Sequence, residues 1–339
     1  MGRSWVFLFL LVFFAPAAAL QVVEFCPDPY LAGDMDEYII LSGSGNLDGV
    51  LISDGEGGFR FPPGSVIEGQ ITIARSGPAF AETHGGDPDF EWYDYSPAVP
   101  DVIRGGTFQL ANTGDQLQLY DHGNLVQELT WPGDFSLRQG QVHYSENGTW
   151  DSRILMLGQS RFVSEEFAAV DGVVFASPDC SLTVYEDAIG SAEKEIRANV
   201  YEFSSPVMVR SLVEACKRGV AVTVLLEGGP VGGISDEEKG AIAELRRAEI
   251  PVSLMTSDSD AHPPYRFDHA KYLVIDRSRV LVTSENFKSN GFPGEGLSGN
   301  RGWGVVLEDE SVARYFLSVF SYDSRGGWCS PATFTSGSA

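Results

Sequence analysis

From Val22 to about Gly133 apolar and polar residues alternate over short runs, as in Gln70-Ile-Thr-Ile-Ala74 and Gln116-Leu-Gln-Leu-Tyr120. A period of two belongs to strands with one buried face. Gly, Asp, Asn and Pro separate the runs, with Gly114-Asp115 and His122-Gly123-Asn124 as turn residues, and no stretch has a helical period of useful length. The expectation is an all-β sandwich over residues 20–133. From Asp134 to Phe167 periodicity is weak and polarity mixed, so residues 134–169 read as a linker.

After about Val170 strand and helix patterns alternate. Val173–Ala176 reads as a strand, Asp187–Glu195 as a helix and Ile196–Phe203 as a strand. Ser205-Pro206 then opens a helix with a capping hydroxyl and a first-turn proline; Val209, Leu212, Val213 and Cys216 share its buried face, and Gly219 ends it. Val220–Leu226 is the next strand. Ser235-Asp-Glu-Glu238 has capping-box spacing for a helix to about Ala248, and Pro251–Met255 is a further strand. This order predicts an α/β sandwich with a largely parallel sheet over residues 170–329, followed by a polar tail, 330–339.

Chemistry concentrates in one hairpin of this region. Ala270-Lys-Tyr-Leu-Val-Ile275 has the branched and aromatic content of a strand, which sets His269 and Lys271 on one face. Beyond the turn Asp276-Arg-Ser-Arg279, the return run Val280-Leu-Val-Thr-Ser-Glu-Asn286 sets Ser284 and Asn286 two residues apart, again on one face. An imidazole, an ammonium, a hydroxyl and an amide offer a nucleophile and several donors, a set suited to a phosphate whose charge must be stabilised during transfer.

Composition narrows the partners. The formal net charge is −24, and the first lysine is Lys194. Such a chain repels polyanions at long range, which argues against an efficient nonspecific nuclease and is a milder penalty for a zwitterionic headgroup. Arg3, the apolar run Trp5–Phe14 and the small residues to Ala19 have the order of a secretory signal, residues 1–19, with cleavage after Ala19. The run is too short to span a bilayer, so the mature protein is expected to be secreted or at the cell surface with no integral membrane segment. Of the four cysteines, Cys216 is expected as a buried free thiol, whereas Cys180 and Cys329 could pair in an oxidising compartment. The acidic group Asp28, Asp34, Asp36 and Glu37 lacks calcium-loop spacing and reads as a solvated edge, and Asn147-Gly-Thr149 has glycosylation spacing.

Two resemblances add to this. Asp36–Leu41, Leu110-Ala-Asn-Thr-Gly-Asp115 and the following Leu117–Trp131 resemble the lamin-tail domain, which implies an immunoglobulin-like fold and an accessory or adhesive role. In the second half, HAKYLVID, RSRVLV and TSEN resemble the phospholipase D signature of His-x-Lys, four residues, Asp, six residues and Gly-Ser-x-Asn, with Thr283 in place of the glycine. The resemblance spans roughly Val170 to Tyr322. It implies a phosphoric diester hydrolase that needs no metal or other cofactor. In it His269 attacks phosphorus, Lys271 and Asn286 hold the nonbridging oxygens, Ser284 supports them, and Asp276 organises the site.

Family members pair two such motifs, and this chain has one. The resemblance therefore implies that a homodimer completes the site, or that this is the front half of a two-motif protein. Where several members have a glutamate that orients the histidine, this chain has Gly302, so Asp268 or Glu285 must serve instead. The expected activity is hydrolysis of a phosphodiester, with a phospholipid headgroup favoured over nucleic acid. The competing expectation is a catalytically silent binding protein, or an extracellular nuclease.

Overall fold

The computed structural model describes residues 19–256 and 263–333; the expected signal segment to residue 18, His262 and the tail beyond residue 333 lie outside them. The described residues divide into two compact units, one of residues 19–29, 34–78 and 88–154, the other of residues 30–33, 79–87, 155–256 and 263–333.

Alternating sequence produces strands throughout the first unit: β1 (Gln21–Cys26), β2 (Tyr38–Asn46), β3 (Val50–Ser53), β4 (Gly58–Arg60) and β5 (Val66–Ala74). After helix α1 (Gly77–His84), whose residues from 79 on belong to the second unit, the first unit resumes with β6 (Phe90–Glu91), β7 (Ile103–Gly105), β8 (Asp115–Asp121), β9 (Asn124–Trp131), β10 (Gln141–Glu146) and β11 (Thr149–Trp150). One sheet has the order β11-β10-β1-β2-β5-β6 and the other β7-β4-β3-β8-β9. Phe25, Ile39 and Leu41 from the first sheet meet Ile52, Phe59, Leu117 and Leu119 from the second in one core.

Three expectations change here. The eight-residue helix α1 interrupts a region read as helix-free. β10, inside the stretch read as a linker, pairs with β1 because its Val142 and Tyr144 are buried. The acidic edge is only partly solvated. Asp36 and Glu37 are fully buried, Arg75 Nη1 donates to Glu37 at 3.0 Å, and Asn112 Nδ2 bridges Asp28 and Asp34.

The second unit runs β12 (Leu155–Met156), β13 (Asp171–Ser177), α2 (Ser181–Gly190), β14 (Glu195–Val200), α3 (Pro206–Lys217), β15 (Ala221–Glu227), α4 (Asp236–Arg247) and β16 (Val252–Met255). It continues with β17 (Lys271–Ile275), β18 (Arg279–Thr283), β19 (Gly302–Glu308), α5 (Glu310–Asp323) and β20 (Cys329–Pro331). Eight strands form one sheet in the order β13-β19-β18-β17-β14-β15-β16-β20. Within it β14, β15 and β16 run parallel, through α3 and α4 as crossovers; the remaining pairings are antiparallel. The sheet is therefore mixed rather than largely parallel.

Helices cover both faces. Tyr185 and Ile189 of α2, Met208 and Leu212 of α3 and Ile242 and Leu245 of α4 pack on Ala198, Val224, Leu273 and Leu281. Val312, Ala313 and Phe320 of α5 pack on Tyr272, Val274 and Val280 of the other face.

The caps of α3 and α4 are those expected from the sequence. Ser205 precedes Pro206, and Ser235 Oγ accepts the Glu238 N–H at 3.2 Å. The Glu238 carboxylate accepts the Phe203 N–H at 2.7 Å instead of closing the capping box, and burial raises its pKa to about 7. Helix α2 spans Ser181–Gly190 rather than Asp187–Glu195, and beyond its cap at Ser191 the N–H groups of Glu193, Lys194 and Glu195 donate to Asp276.

All four cysteines are free thiols. Cys180 follows β13 at one edge of the sheet and Cys329 lies in β20 at the other, so seven strand spacings, on the order of 30 Å, exclude their pairing. Cys216 is half-buried rather than buried, with its Sγ 3.5 Å from the Ala248 carbonyl.

Candidate active site

The pairing of β17 with β18 builds the site. Its register sets Tyr272 opposite Val282 and Leu273 opposite Leu281, so the residues before β17 and those after β18 reach the same end of the hairpin. On the other side Val200 of β14 pairs with Lys271, which brings Glu202 to that end as well. His269, Lys271, Ser284 and Asn286 thus meet in one cleft of about 370 Å³, together with Glu202, Glu285, Lys288, Asn290 and Asn300.

Each side chain has a distinct setting. His269 is exposed, with its ring centroid 4.6 Å from that of Tyr201, and among the described residues no hydrogen bond reaches either ring nitrogen. Lys271 is buried, its Nζ 3.0 Å from the His269 carbonyl and 5.1 Å from the Tyr201 centroid. Burial lowers the pKa of this ammonium, while Asp268, Glu202 and Glu285 oppose the shift. Ser284 Oγ accepts the Trp303 N–H at 3.1 Å. Asn286 Nδ2 donates to Glu202, and Lys288 Nζ holds the same carboxylate at 2.9 Å.

Asp276 stands apart. It lies at the far end of β17, where it accepts three backbone N–H groups at 2.9, 2.7 and 3.0 Å, from Glu193, Lys194 and Glu195. Burial alone acts to raise its pKa, but these donors and Arg279 outweigh it and the net shift is downward. Its φ of 53° places it in the left-handed region, which aspartate tolerates. It ties the hairpin turn to the start of β14 and takes no part in lining the cleft.

The space left by Gly302 is occupied. A Cβ at Gly302 would overlap the Glu285 carboxylate, and glycine is not required there by the backbone, which is extended in β19. Gly291 clears the other flank, since a Cβ there would approach the Glu285 Cβ to 2.8 Å. Asn300 Nδ2 fixes Glu285 Oε2 at 3.1 Å. Thr283, in the place of a glycine, uses its hydroxyl to donate to the Trp303 carbonyl at 3.1 Å and to accept the Glu285 N–H at 3.2 Å. Asp268 points instead into the protein, where burial raises its pKa to about 6. Of the two carboxylates offered by the sequence, Glu285 is the one that lines the cleft.

Glu202 and Lys288 were not singled out from the sequence. Lys288 continues the period of two from Ser284 and Asn286 and was legible on that ground. Glu202 is 84 residues from Asn286 and is placed only by strand pairing.

A mixed sheet with helices on both faces brings imidazole, ammonium, hydroxyl and amide to one strand end, a set of groups able to bind a phosphate and supply a nucleophile. Residues 185–324 match the family described as cardiolipin synthase, PLD-like domain. The phospholipase D of Rickettsia bellii is 26% identical over 154 residues, which cover 45% of this chain and 69% of that protein. That of Rickettsia felis is 25% identical over 155 residues, 46% and 70% of the two chains. Among solved structures, the phospholipase D family member Nuc from Salmonella typhimurium aligns with a TM-score of 0.41 and 24% identity, over 48% of this chain and 98% of that one. NucT from Helicobacter pylori aligns with a TM-score of 0.38 and 17% identity, over 45% and 94%. Residues 185–324 of the unit that carries the cleft are thus similar to phospholipase D-like domains.

Proposed function

We propose that the chain hydrolyses phosphodiesters through a covalent phosphohistidine on His269, and that its substrates are phospholipids. The convergence of His269, Lys271, Ser284 and Asn286 in one cleft carries this reading. One imidazole nitrogen of His269 attacks phosphorus, a P–N bond forms, and the P–O bond to the alcohol breaks. The departing oxygen takes a proton from a second histidine, and water then cleaves the P–N bond with that histidine as base. Lys271 and Asn286 hold the nonbridging oxygens, Ser284 supports them, and Asp276 keeps the hairpin in place from outside the cleft.

The second histidine comes from another copy of the chain. In support, Val174 and Trp303 stand 82% and 63% exposed on the edge pair β13 and β19, and Trp303 is hydrogen-bonded to Ser284 at the cleft. Exposed large apolar residues at a site margin are what a subunit contact covers. For the substrate, the curated relatives carry the name phospholipase D, and the net charge of −24 disfavours polynucleotides. The first unit serves as an accessory lamin-tail-like module of a secreted protein.

The test is incubation of the purified chain with phosphatidylcholine and, separately, with single-stranded DNA in the presence of EDTA. Release of choline that His269→Asn abolishes is expected; cleavage of DNA alone overturns the lipid assignment, and activity that survives His269→Asn overturns the mechanism.

A further inference from the structure

The cleft holds an anion of its own. The Glu202 carboxylate is bound by two donors at once, Asn286 Nδ2 on one oxygen and Lys288 Nζ on the other at 2.9 Å, and its side chain is 21% exposed. Asn286 is one of the two groups assigned to the nonbridging oxygens, so the carboxylate lies on a donor that an entering phosphate needs. A planar carboxylate spanning an amide and an ammonium reproduces half of a bound phosphate.

The balance of charge in the cleft is set by this residue. Two ammonium groups, Lys271 and Lys288, face two carboxylates, Glu202 and Glu285. With His269 neutral the formal charge is zero, whereas without Glu202 it is positive. A monoanionic phosphodiester meets little repulsion in such a site. A dianionic phosphomonoester, the form in which the product leaves, meets twice as much.

We propose that Glu202 is a built-in competitor of the phosphate, with Lys288 as a further phosphate-binding group that changes partner when substrate enters. Glu202 thereby makes the cleft select diesters over monoesters and keeps product and free phosphate from accumulating in it. The inference rests on the cleft's being a phosphate site, and it can be read without turnover.

The experiment is titration of the full chain with inorganic phosphate at pH 8, followed by calorimetry, for wild type, Glu202→Gln and Lys288→Met. Glu202→Gln removes the charge but keeps the shape, and it is expected to tighten phosphate roughly tenfold. Lys288→Met is expected to weaken it severalfold. With bis(p-nitrophenyl) phosphate as substrate, Glu202→Gln is expected to lower the inhibition constant of phosphate more than it lowers KM. Unchanged or weaker phosphate binding in Glu202→Gln, with the fold intact by circular dichroism, overturns the proposal. If no variant turns over the diester but Glu202→Gln still binds phosphate more tightly, the hydrolase reading fails and the competitor role of Glu202 stands.

Discussion

Glu285 and Gly302 show how two residues in different strands share one volume. The glycine leaves room for a carboxylate that Asn300 and Ser284 hold at 3.1 and 3.5 Å. The overlapping atoms all belong to the Glu285 side chain, so Gly302→Ala displaces the carboxylate from Asn300 rather than moving the strand. Because a flexible side chain yields, the cost falls at the low end of overpacking, about 1 kcal/mol. Gly302→Ala is expected to lower unfolding stability by that amount and to reduce diester hydrolysis, and Glu285→Ala in the same chain is expected to recover most of the stability but not the activity. Additive losses in the double variant, measured by denaturant unfolding, would show that the two side chains do not compete for space.

Asp323 gives the fold a pH dependence. Burial, reinforced by Asp268, raises its pKa to about 7, against roughly 4 in an unfolded chain. Between these values the folded state keeps a proton that the unfolded state has released. Its contribution is therefore greatest below pH 4, falls as pH rises to about 7, and is level above. Asp323→Asn removes this dependence. The difference in unfolding free energy between variant and wild type is expected to move in favour of the variant by roughly 2 kcal/mol from pH 5 to pH 8. Parallel curves contradict the assignment.

Among the elements, α5 covers its face of the sheet through Val312, Ala313 and Phe320. Its start depends on Asp309, whose carboxylate accepts the N–H groups of Ser311 and Val312 at 2.7 and 3.0 Å. Asp309→Ala leaves both donors without that acceptor and is expected to cost about 1 kcal/mol, within a range of 0.5–2. Denaturant melts of the purified chain measure it. The β17–β18 hairpin is the element on which the proposed chemistry depends, because it presents Lys271 at the start of one strand and Ser284 just past the end of the other. Asp276 ties its turn to the segment between α2 and β14. Loss of that side chain is thus expected to act on stability first and on activity through the hairpin.

At the scale of the molecule the proposed homodimer depends on one apolar sheet edge. Val174 and Trp303 lie on one face of the edge pair, since Trp303 opposes Ala176 and Val305 opposes Val174 in register. Trp303→Glu puts a charge on that face while keeping the backbone link from residue 303 to Ser284. It is expected to shift the chain from dimer to monomer in light scattering and to lower hydrolysis in parallel. A monomeric wild type with full activity contradicts the shared site.

The sequence by itself determined much of what is local, though not the short helix α1 or the bounds of α2. The caps at Ser205 and Ser235, the period of two through Lys271–Asn286 and the closeness of four polar groups on one hairpin all arise within about 20 residues, where backbone periodicity and side-chain type are sufficient. Only the tertiary structure decided what is not local. Antiparallel pairing of β14 with β17 carried Glu202 to Asn286, the order of eight strands parted Cys180 from Cys329, and Gly302 was revealed as room for Glu285. The physical reason is that a strand's pattern specifies which faces it buries but not which strand lies beside it. That neighbour is selected by how whole faces pack together, and with it the carboxylate that lies in the cleft.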